Sequence, residues 1–313
     1  MDLPAYVARR LLHMVPVILG VTILVFFMIH LVPGDPARTM LGTHASPERI
    51  ALLHKEWGLD KSLPVQYEKF MSRLVHGDLG NSLFYRVPAR ELIVDRLPVT
   101  LWLIGYGTGL SILIAIPLAA IAASRRDAVR DQVVRVVPLI GLGFPSFWVG
   151  IMLLLAFALN SGRFFPVGGY GTGFSGHLRS MFLPALTVAI AISPILIRSL
   201  RASLLNVLES DYITTARAKG LADSRVLTAH ALPNAMLPAV TLVAINLGYV
   251  VAGAITVEVV FNWPGLGTLT VDALAARDYP ILEGVFLLLS VTVVLANLAA
   301  DLVYGFLDPR VRA

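Results

Sequence analysis

The sequence contains no cysteine, few lysines and few charged residues of any kind. The absence of cysteine excludes disulfides, thiolate metal sites and cysteine nucleophiles, and it leaves the redox compartment undetermined. The seven histidines are scattered without the spacing of metal ligands. No GxxxxG phosphate loop precedes any of the four lysines, Lys55, Lys61, Lys69 and Lys219. We therefore expect this chain to bind no cofactor of its own, ATP included.

The scarcity of charge has a counterpart in the abundance of apolar residues. Charged residues make up 14% of the chain and hydrophobic residues 57%, and the mean hydropathy is +0.76. This composition predicts an integral membrane protein. The net charge is +5, but the basic residues form short clusters beside apolar runs, which is typical of a topology signal. We expect contact with membrane lipid and no nucleic-acid partner.

Six apolar runs are long enough to cross a bilayer core, which takes about 20 helical residues. The first run ends in VPGDP and lacks a small-residue cleavage site, so it is interpreted as a retained span, not as a signal peptide. The predicted fold is an all-α integral membrane protein with six transmembrane helices. The runs are 11–32, 99–123, 136–159, 181–200, 237–260 and 282–307.

Arginine and lysine in the short flanks predict the orientation, because they stay on the cytoplasmic side. With the N-terminus inside, the cytoplasmic flanks hold Arg9, Arg10, Arg125, Arg126, Arg130, Arg135, Arg198, Arg201, Arg217, Lys219, Arg225, Arg310 and Arg312. The opposite short loops hold only Arg163, Arg179 and Arg277. Both termini are therefore predicted in the cytoplasm, with the chain in the cytoplasmic (inner) membrane.

The polar segment 33–98 falls on the outer side in this topology. Ser46 and Pro47 predict a helix start and Gly58 its end, and a second amphipathic helix is predicted from Pro64, with Gly77 beyond it. The two helices pack on each other, pack on the outer mouth of the spans, or belong to a docking surface. The predicted divisions are 1–32, the segment 33–98, a transmembrane core 99–307 that includes the cytoplasmic loop 201–236, and the tail 308–313.

Within the spans, glycines and prolines suit close helix packing or an enclosed pathway. The prolines and glycines of the third to fifth spans are Pro138, Gly141, Gly143, Pro145, Gly150, Pro184, Pro194, Gly248 and Gly253. Polar residues at depth are few: Asn246, Asn297, Glu258 and Asp301. The two acids lie close enough to the span ends to be hydrated, so we interpret them as structural or gating residues.

Residues 211–238, DYITTARAKGLADSRVLTAHALPNAMLP, are a polar interruption between two apolar runs; we call them the polar loop. Asp211 is a predicted N-cap of a first short helix that Gly220 ends. Asp223 is a predicted cap of a second helix ending near Leu232. Arg217 and Lys219 fall in the last turn of the first helix, where positive charge suits the helix dipole. The product is a helix–Gly–helix structure on the membrane surface.

Several stretches together resemble one family, the dipeptide/oligopeptide/nickel (Dpp/Opp-type) permease subunits of bacterial ABC importers. They follow one another in order along nearly the whole chain: YVARRLL (6–12), LVPGDPA (31–37), GDLGNS (77–82), RLPVT (96–100), DYITTARAKGL (211–221), FNWPGLG (261–267), RDYP (277–280) and LDPRVR (307–312). The general importer loop, EAA followed by a glycine and later by I-x-L-P, corresponds here to Thr214-Thr215-Ala216, Gly220, His230 and Leu232-Pro233. Thr214 and His230 depart from that pattern, but the peptide-type permeases resemble this sequence in having TARAKG.

The resemblance implies a MetI-like importer fold in which the polar loop docks on a separate ATPase. The residues expected to form this contact are Asp211, Tyr212, Thr215, Ala216, Arg217, Ala218, Lys219, Gly220, Arg225, Leu232 and Pro233. From the loop sequence alone, the glycine is equally well explained as a helix cap and the cations as topology signals. Candidate pathway or gate residues are Asn246, Glu258, Phe261 and Trp263, and the aromatics of FNWPGLG are interpreted as an interfacial anchor or, alternatively, a lid.

The function implied is a permease subunit that forms half of the pathway of an ATP-driven importer. Its implied partners are a second homologous (DppC-like) permease subunit, two ABC ATPase subunits that bind ATP and Mg, and an extracytoplasmic solute-binding protein. Dipeptides, oligopeptides, glutathione and nickel complexes remain open as substrates. The alternative is an ion-gradient-driven secondary transporter, which needs a titratable group at mid-depth. An intramembrane protease needs a Ser–Lys, Asp–Asp or HExxH constellation, and none is present, so we expect no enzyme.

Overall fold

The computed structural model describes residues 3–31, 34–124, 128–160 and 165–307, and within these ranges the chain is helical and forms no strand. The predictions for Arg125, Arg126, Arg163, Arg310, Arg312 and the tail 308–313 lie outside the described residues, as do the side chains of Arg9, Arg10 and Asp301. The helices are α1 (Leu3–Leu31), α2 (Pro36–Leu41), α3 (Pro47–Trp57), α4 (Leu63–Val75), α5 (Ala89–Ser124), α6 (Val129–Leu142), α7 (Ser146–Leu153), α8 (Gly173–Leu208), α9 (Asp211–Ala218), α10 (Asp223–Arg225), α11 (Leu232–Val260), α12 (Leu266–Ala276) and α13 (Tyr279–Leu307).

The long helices agree with the predicted apolar runs in place but not in every boundary. Among the described residues, three helices are long and apolar enough to cross a membrane, namely α5, α8 and the part of α13 from Tyr279 to Ala299. A fourth span results if α6 and α7 with its π-helical extension count as one. The membrane fold is thus confirmed, and the count of six spans stays a prediction.

The third predicted span, 136–159, is wrong as a single straight helix. The chain bends by 102° between Val129–Leu142 and Ser146–Asn160. Proline has no backbone N–H to donate and also disfavours helical geometry at the residue before it, which here is Phe144. Pro145 therefore ends one helix and begins the next, and residues 154–160 continue α7 as a π-helix.

The chain divides into two compact units. The first comprises Leu101–Trp263 with the N-terminal end of α1 and the C-terminal end of α13, and α8 lies at its centre. Its most apolar window is 72% buried, and it packs against α6, α7 and α11. Gly107 of α5 allows one close approach, because a Cβ there would lie 2.8 Å from the Cβ of Val188. This contact agrees with the prediction that small residues bring the helices together.

The second unit comprises Ala8–Thr100 and Pro264–Val294, so segment 33–98 folds together with most of α1 and with α12. Both helices predicted in this segment are confirmed. Ser46 accepts a hydrogen bond from the N–H of Arg49 at the start of α3, and Gly58 ends that helix with φ +73°. On α4, Phe70 stacks against Phe26 of α1, and the Tyr67 hydroxyl lies 2.9 Å from that of Thr22. The apolar face of α4 is therefore packed on α1.

Asp35, in the LVPGDPA motif, begins α2 and also holds α3. Its carboxylate accepts hydrogen bonds from the N–H of Ala37 and from His54 Nε2, both at 2.9 Å. Burial acts to raise the pKa of Asp35, but the hydrogen bonds from His54 and Ala37 outweigh it and hold the pKa below its usual value. Asp35 is therefore a charged cap that joins two helices of the second unit.

Asp278 fixes the loop that precedes α5. Its carboxylate accepts hydrogen bonds from the hydroxyl of Ser82 and from the N–H groups of Leu83 and Phe84, the latter two at 3.1 and 3.2 Å. Asp278 itself is fully buried, in the RDYP motif. Two of the motifs that carry the family resemblance, GDLGNS and RDYP, thus meet in one hydrogen-bonded cluster of the second unit.

Candidate functional site: the polar loop between α8 and α11

The first helix of the polar loop forms as predicted, but its N-cap is one residue earlier. Ser210, not Asp211, is the N-cap of α9, and its hydroxyl donates to the carbonyl of Val207, so it makes no side-chain cap bond to the helix. Asp211 is the first helical residue, where its charge still suits the positive end of the helix dipole. Gly220 ends the helix in the left-handed region, with φ +79° and its N–H bonded to the carbonyl of Arg217, as predicted.

The prediction that Asp223 caps a second helix ending near Leu232 is wrong at both ends. Ala222 is the N-cap of α10, and Asp223 is its first residue. The helix continues without a break through a π-helical stretch, Val226–Ala231, into α11. The π-helical stretch ends at Ala231, and Leu232 and Pro233 are the first two residues of α11, so the chain remains helical through them.

The inner face of the loop is fixed to two long helices of the first unit. Ile213 and Val226 are fully buried and Ala216 is 9% exposed. They belong to one apolar cluster with Ala119 and Ala123 near the end of α5, Leu200 and Leu204 near the end of α8, and Ala231 and Ala235. Close-packed apolar contacts of this kind resist deformation. The polar loop and the ends of α5 and α8 therefore form one closely packed cluster.

The outer face carries most of the residues predicted to dock. Tyr212 is 46% exposed, and Arg217 donates to Asp223 at 3.3 Å while half of its side chain remains accessible. The predicted residues that lie exposed are Asp211, Tyr212, Thr215, Arg217, Ala218, Lys219, Gly220, Arg225 and Pro233. Ala216 is buried and Leu232 is half-buried, so these two support the loop instead of presenting a surface. The exposed surface of the loop therefore carries one tyrosine, three cations and the carboxylates of Asp211 and Asp223.

Asn234 is a residue of this site that the sequence analysis did not identify. Its side-chain amide donates to the hydroxyl of Tyr212 at 3.3 Å and to the carbonyl of His230 at 2.8 Å. It joins the exposed tyrosine of α9 to the helix that leads into α11. The only local signal is that Asn234 directly follows Leu232-Pro233. Its contact with Tyr212, 22 residues earlier, could not be inferred from that signal.

The sequence analysis also did not identify a buried ion pair between α6 and α8. The carboxylate of Asp131 accepts two hydrogen bonds from the guanidinium of Arg201, Nε at 2.5 Å and Nη2 at 2.6 Å. The Asp131 side chain is fully buried and that of Arg201 is 14% exposed. Arg201 was interpreted only as a topology signal, but it also ties the start of the bent helix pair to the end of α8.

The candidate pathway residues lie in the first unit, and two interpretations of them need correction. Glu258 is fully buried, not hydrated, and Phe261 and Trp263 are each 1% exposed, so neither is an interfacial anchor. The chain folds back at the end of α11, where the backbone N–H of Trp263 donates to the backbone carbonyl of Glu258. Gly150 of α7 lies against the ring of Phe261. Asn246 is nearly buried, and its amide donates to the carbonyl of Leu242. These contacts do not assign a pathway or gate role to any of the four residues.

Two family models cover nearly the whole chain. Residues 115–313 match the binding-protein-dependent transport system inner membrane component, and residues 3–104 match the N-terminal part of the membrane component of such systems. The chain belongs to this family. It is a permease subunit of the ABC importer class, as the resemblance implied, and the ion-gradient alternative has no support.

Curated relatives of the permease match along its full length. It is 38% identical over 307 residues to the glutathione transport system permease protein GsiC of Salmonella choleraesuis, with 98% of each chain covered. It is also 38% identical over 333 residues to the dipeptide transport system permease protein DppB of Escherichia coli K12, again with 98% of each chain covered. A chain of the MetNI methionine ABC transporter, in an inward-facing conformation, matches with a TM-score of 0.57 at 18% identity over 70% of the permease and 97% of that chain. The last match supports the predicted MetI-like fold.

Proposed function

We propose that the permease forms half of the pathway of an ATP-driven importer for peptides, and that its polar loop is the contact through which a separate ATPase drives it. The observation that carries the proposal is the two-sided construction of the loop. Its inner face is buried against α5 and α8, while its outer face presents Tyr212, Arg217 and Lys219 to a partner.

The proposed partners are those that the family membership supports. The chain shows no phosphate loop, so ATP and Mg are assigned to two ABC ATPase subunits, and the second half of the pathway to a DppC-like permease chain. A solute-binding protein delivers the substrate from outside. The excess of arginine in the flanks supports cytoplasmic N- and C-termini and a cytoplasmic polar loop. The relatives named for dipeptide and glutathione transport support small peptides as the substrate class.

Reversing the charge of Arg217 tests the docking surface. We expect Arg217→Glu to lower permease-stimulated ATP hydrolysis by about tenfold, since loss of a central interface contact worth about 1.4 kcal/mol has that effect. The measurement is ATPase activity of the assembled complex in proteoliposomes, with and without loaded binding protein, together with peptide uptake.

Asp223→Asn is the matched control, because it removes the ion pair between Arg217 and Asp223 but keeps the cation. Exposed pairs of this kind contribute less than about 1 kcal/mol, so we expect near-normal coupling in this variant. Equal losses in the two variants would show that Arg217 acts only within the loop, and normal coupling in Arg217→Glu would refute the docking assignment.

A further inference from the structure

The second unit contains a cavity of about 740 Å³ that the function described so far does not use. Its walls come from α1, α2, α3, α4, the start of α13 and the loop around residues 81–86. Pockets that hold small organic ligands have volumes of roughly 300–1,000 Å³, and they combine apolar walls with a few converging polar groups. The cavity has this size, and its walls have this mixed chemistry.

One wall of the cavity is cationic. Lys69 and Arg73 stand four residues apart on α4, so they share one face of that helix, and Arg86 lines the cavity from the loop. Gly80, with φ +79°, leaves room for one of these cations, because a Cβ there would lie 2.9 Å from Arg73 Nη1.

Two carboxylates also line the cavity, namely Glu56 of α3, which is exposed, and Glu283 in the second turn of α13. The Glu283 side chain is 5% exposed and lines the cavity, as Arg73 of α4 also does. A buried carboxylate is costly unless cations or hydrogen-bond donors face it. Glu283 therefore supplies a buried acceptor for a ligand's ammonium group, beside a wall suited to a carboxylate.

Aromatic side chains form the apolar part of the cavity. Phe26 and Phe70 are stacked with their ring centroids 6.1 Å apart, and both are almost completely buried. Trp57 and Tyr279 line the cavity and remain half-buried. The half-buried rings of Trp57 and Tyr279 therefore supply the aromatic surface, which favours contact with an apolar side chain.

We propose that this cavity binds a small zwitterionic solute with an apolar side chain. Its carboxylate is held by Lys69, Arg73 and Arg86, its ammonium by Glu283, and its side chain by the aromatic wall. A short peptide has all three groups, and this choice of ligand rests on the proposed function. The permease then has a solute site of its own, separate from that of the binding protein.

The test is direct binding to the full-length permease in nanodiscs of phosphatidylcholine, without ATPase subunits or binding protein. The probe is alanyl-phenylalanine, and the comparison ligands are its C-terminal amide and its N-acetyl derivative. We expect calorimetric titration to show saturable binding of the free dipeptide. Each blocked ligand should bind at least about tenfold more weakly, because each leaves one charged wall without a partner.

Variants locate the site. Arg73→Gln should weaken binding of the free dipeptide about tenfold and reduce the preference over the amide, and Glu283→Gln should do the same for the N-acetyl derivative. Arg90→Gln is the control, because Arg90 is an exposed arginine of the same unit that does not line the cavity. Thermal unfolding of each variant in the same nanodiscs identifies any that fail to fold, and the ligand series on the unmodified permease then carries the test.

Equal affinity for the free and blocked dipeptides would overturn the proposal, as would an equal loss from Arg90→Gln or binding only to nanodiscs that contain anionic lipid. These results are separable from a failure of the proposed function. ATP-driven uptake can persist in a complex whose permease binds no free peptide, and the dipeptide can bind here even if the polar loop contacts no ATPase.

Discussion

Replacing Ile213 with aspartate is expected to abolish ATP-driven uptake by the assembled transporter. Ile213 is fully buried beneath α9, in the cluster that joins the polar loop to α5 and α8. Removing a buried isoleucine side chain costs about 2–5 kcal/mol, and a carboxylate in its place adds the cost of burying a charge. The loop should detach from the long helices, so that ATP hydrolysis no longer moves them. Uptake into proteoliposomes and ATPase activity are the measurements.

The prediction separates two ways in which the loop can fail. Because Ile213 does not reach the outer surface, Ile213→Asp should uncouple hydrolysis from uptake, whereas Arg217→Glu should weaken stimulation of the ATPase itself. Asn206→Asp is the control, since it adds one carboxylate at an exposed position of α8 near the same end. Full uptake with Ile213→Asp would show that the buried cluster does not transmit motion.

Replacing Asp131 with asparagine is expected to destabilise the first unit by about 3–5 kcal/mol, the range found when one partner of a buried ion pair is removed. Arg201 would keep its charge with 14% of its side chain exposed, and it would lose a bidentate acceptor. The start of α6 would then be held less firmly to α8. Thermal unfolding of the permease in detergent, followed by helical circular dichroism, measures the effect.

The double variant Asp131→Leu with Arg201→Met is the decisive comparison. If the loss arises from an uncompensated buried charge, removing both charges should recover most of the stability, because apolar replacements of buried ion pairs are often neutral. Asp223→Asn removes an exposed pair and should change stability by less than about 1 kcal/mol. A double variant no more stable than Asp131→Asn would mean that the charges themselves are required.

Local signals in the sequence predicted the parts of the fold that depend on local chemistry. Ser46, Pro47 and Gly58 mark the ends of α3 because caps and positive-φ glycines act within one turn. Gly220 ends α9 for the same reason. The bend at Pro145 was within reach too, since Gly143, Phe144 and Pro145 stand together in an apolar run that was counted as one span.

Contacts between distant residues could not be obtained in this way. Asp131 and Arg201 are 70 residues apart, and Asp278 and Ser82 are 196 residues apart, so no local pattern joins either pair. The burial of Trp263 likewise depends on Tyr170, whose ring lies edge-on at 5.2 Å, and a turn-rich aromatic stretch gives the same sequence signal whether it is buried or exposed. The cavity of the second unit depends on α3, α4 and α13 coming together, which only the fold determines.

The central claim is that the polar loop contacts the ATPase, and site-directed photocrosslinking tests it most directly. The chain has no cysteine, so Lys219→Cys provides a single thiol in this subunit for a benzophenone maleimide. In membranes that contain the whole transporter, illumination should yield an adduct between this exposed position and an ATPase subunit. The same label on Glu68→Cys, at an exposed position of α4, should yield none. An ATPase adduct from position 68 and none from position 219 would contradict the account.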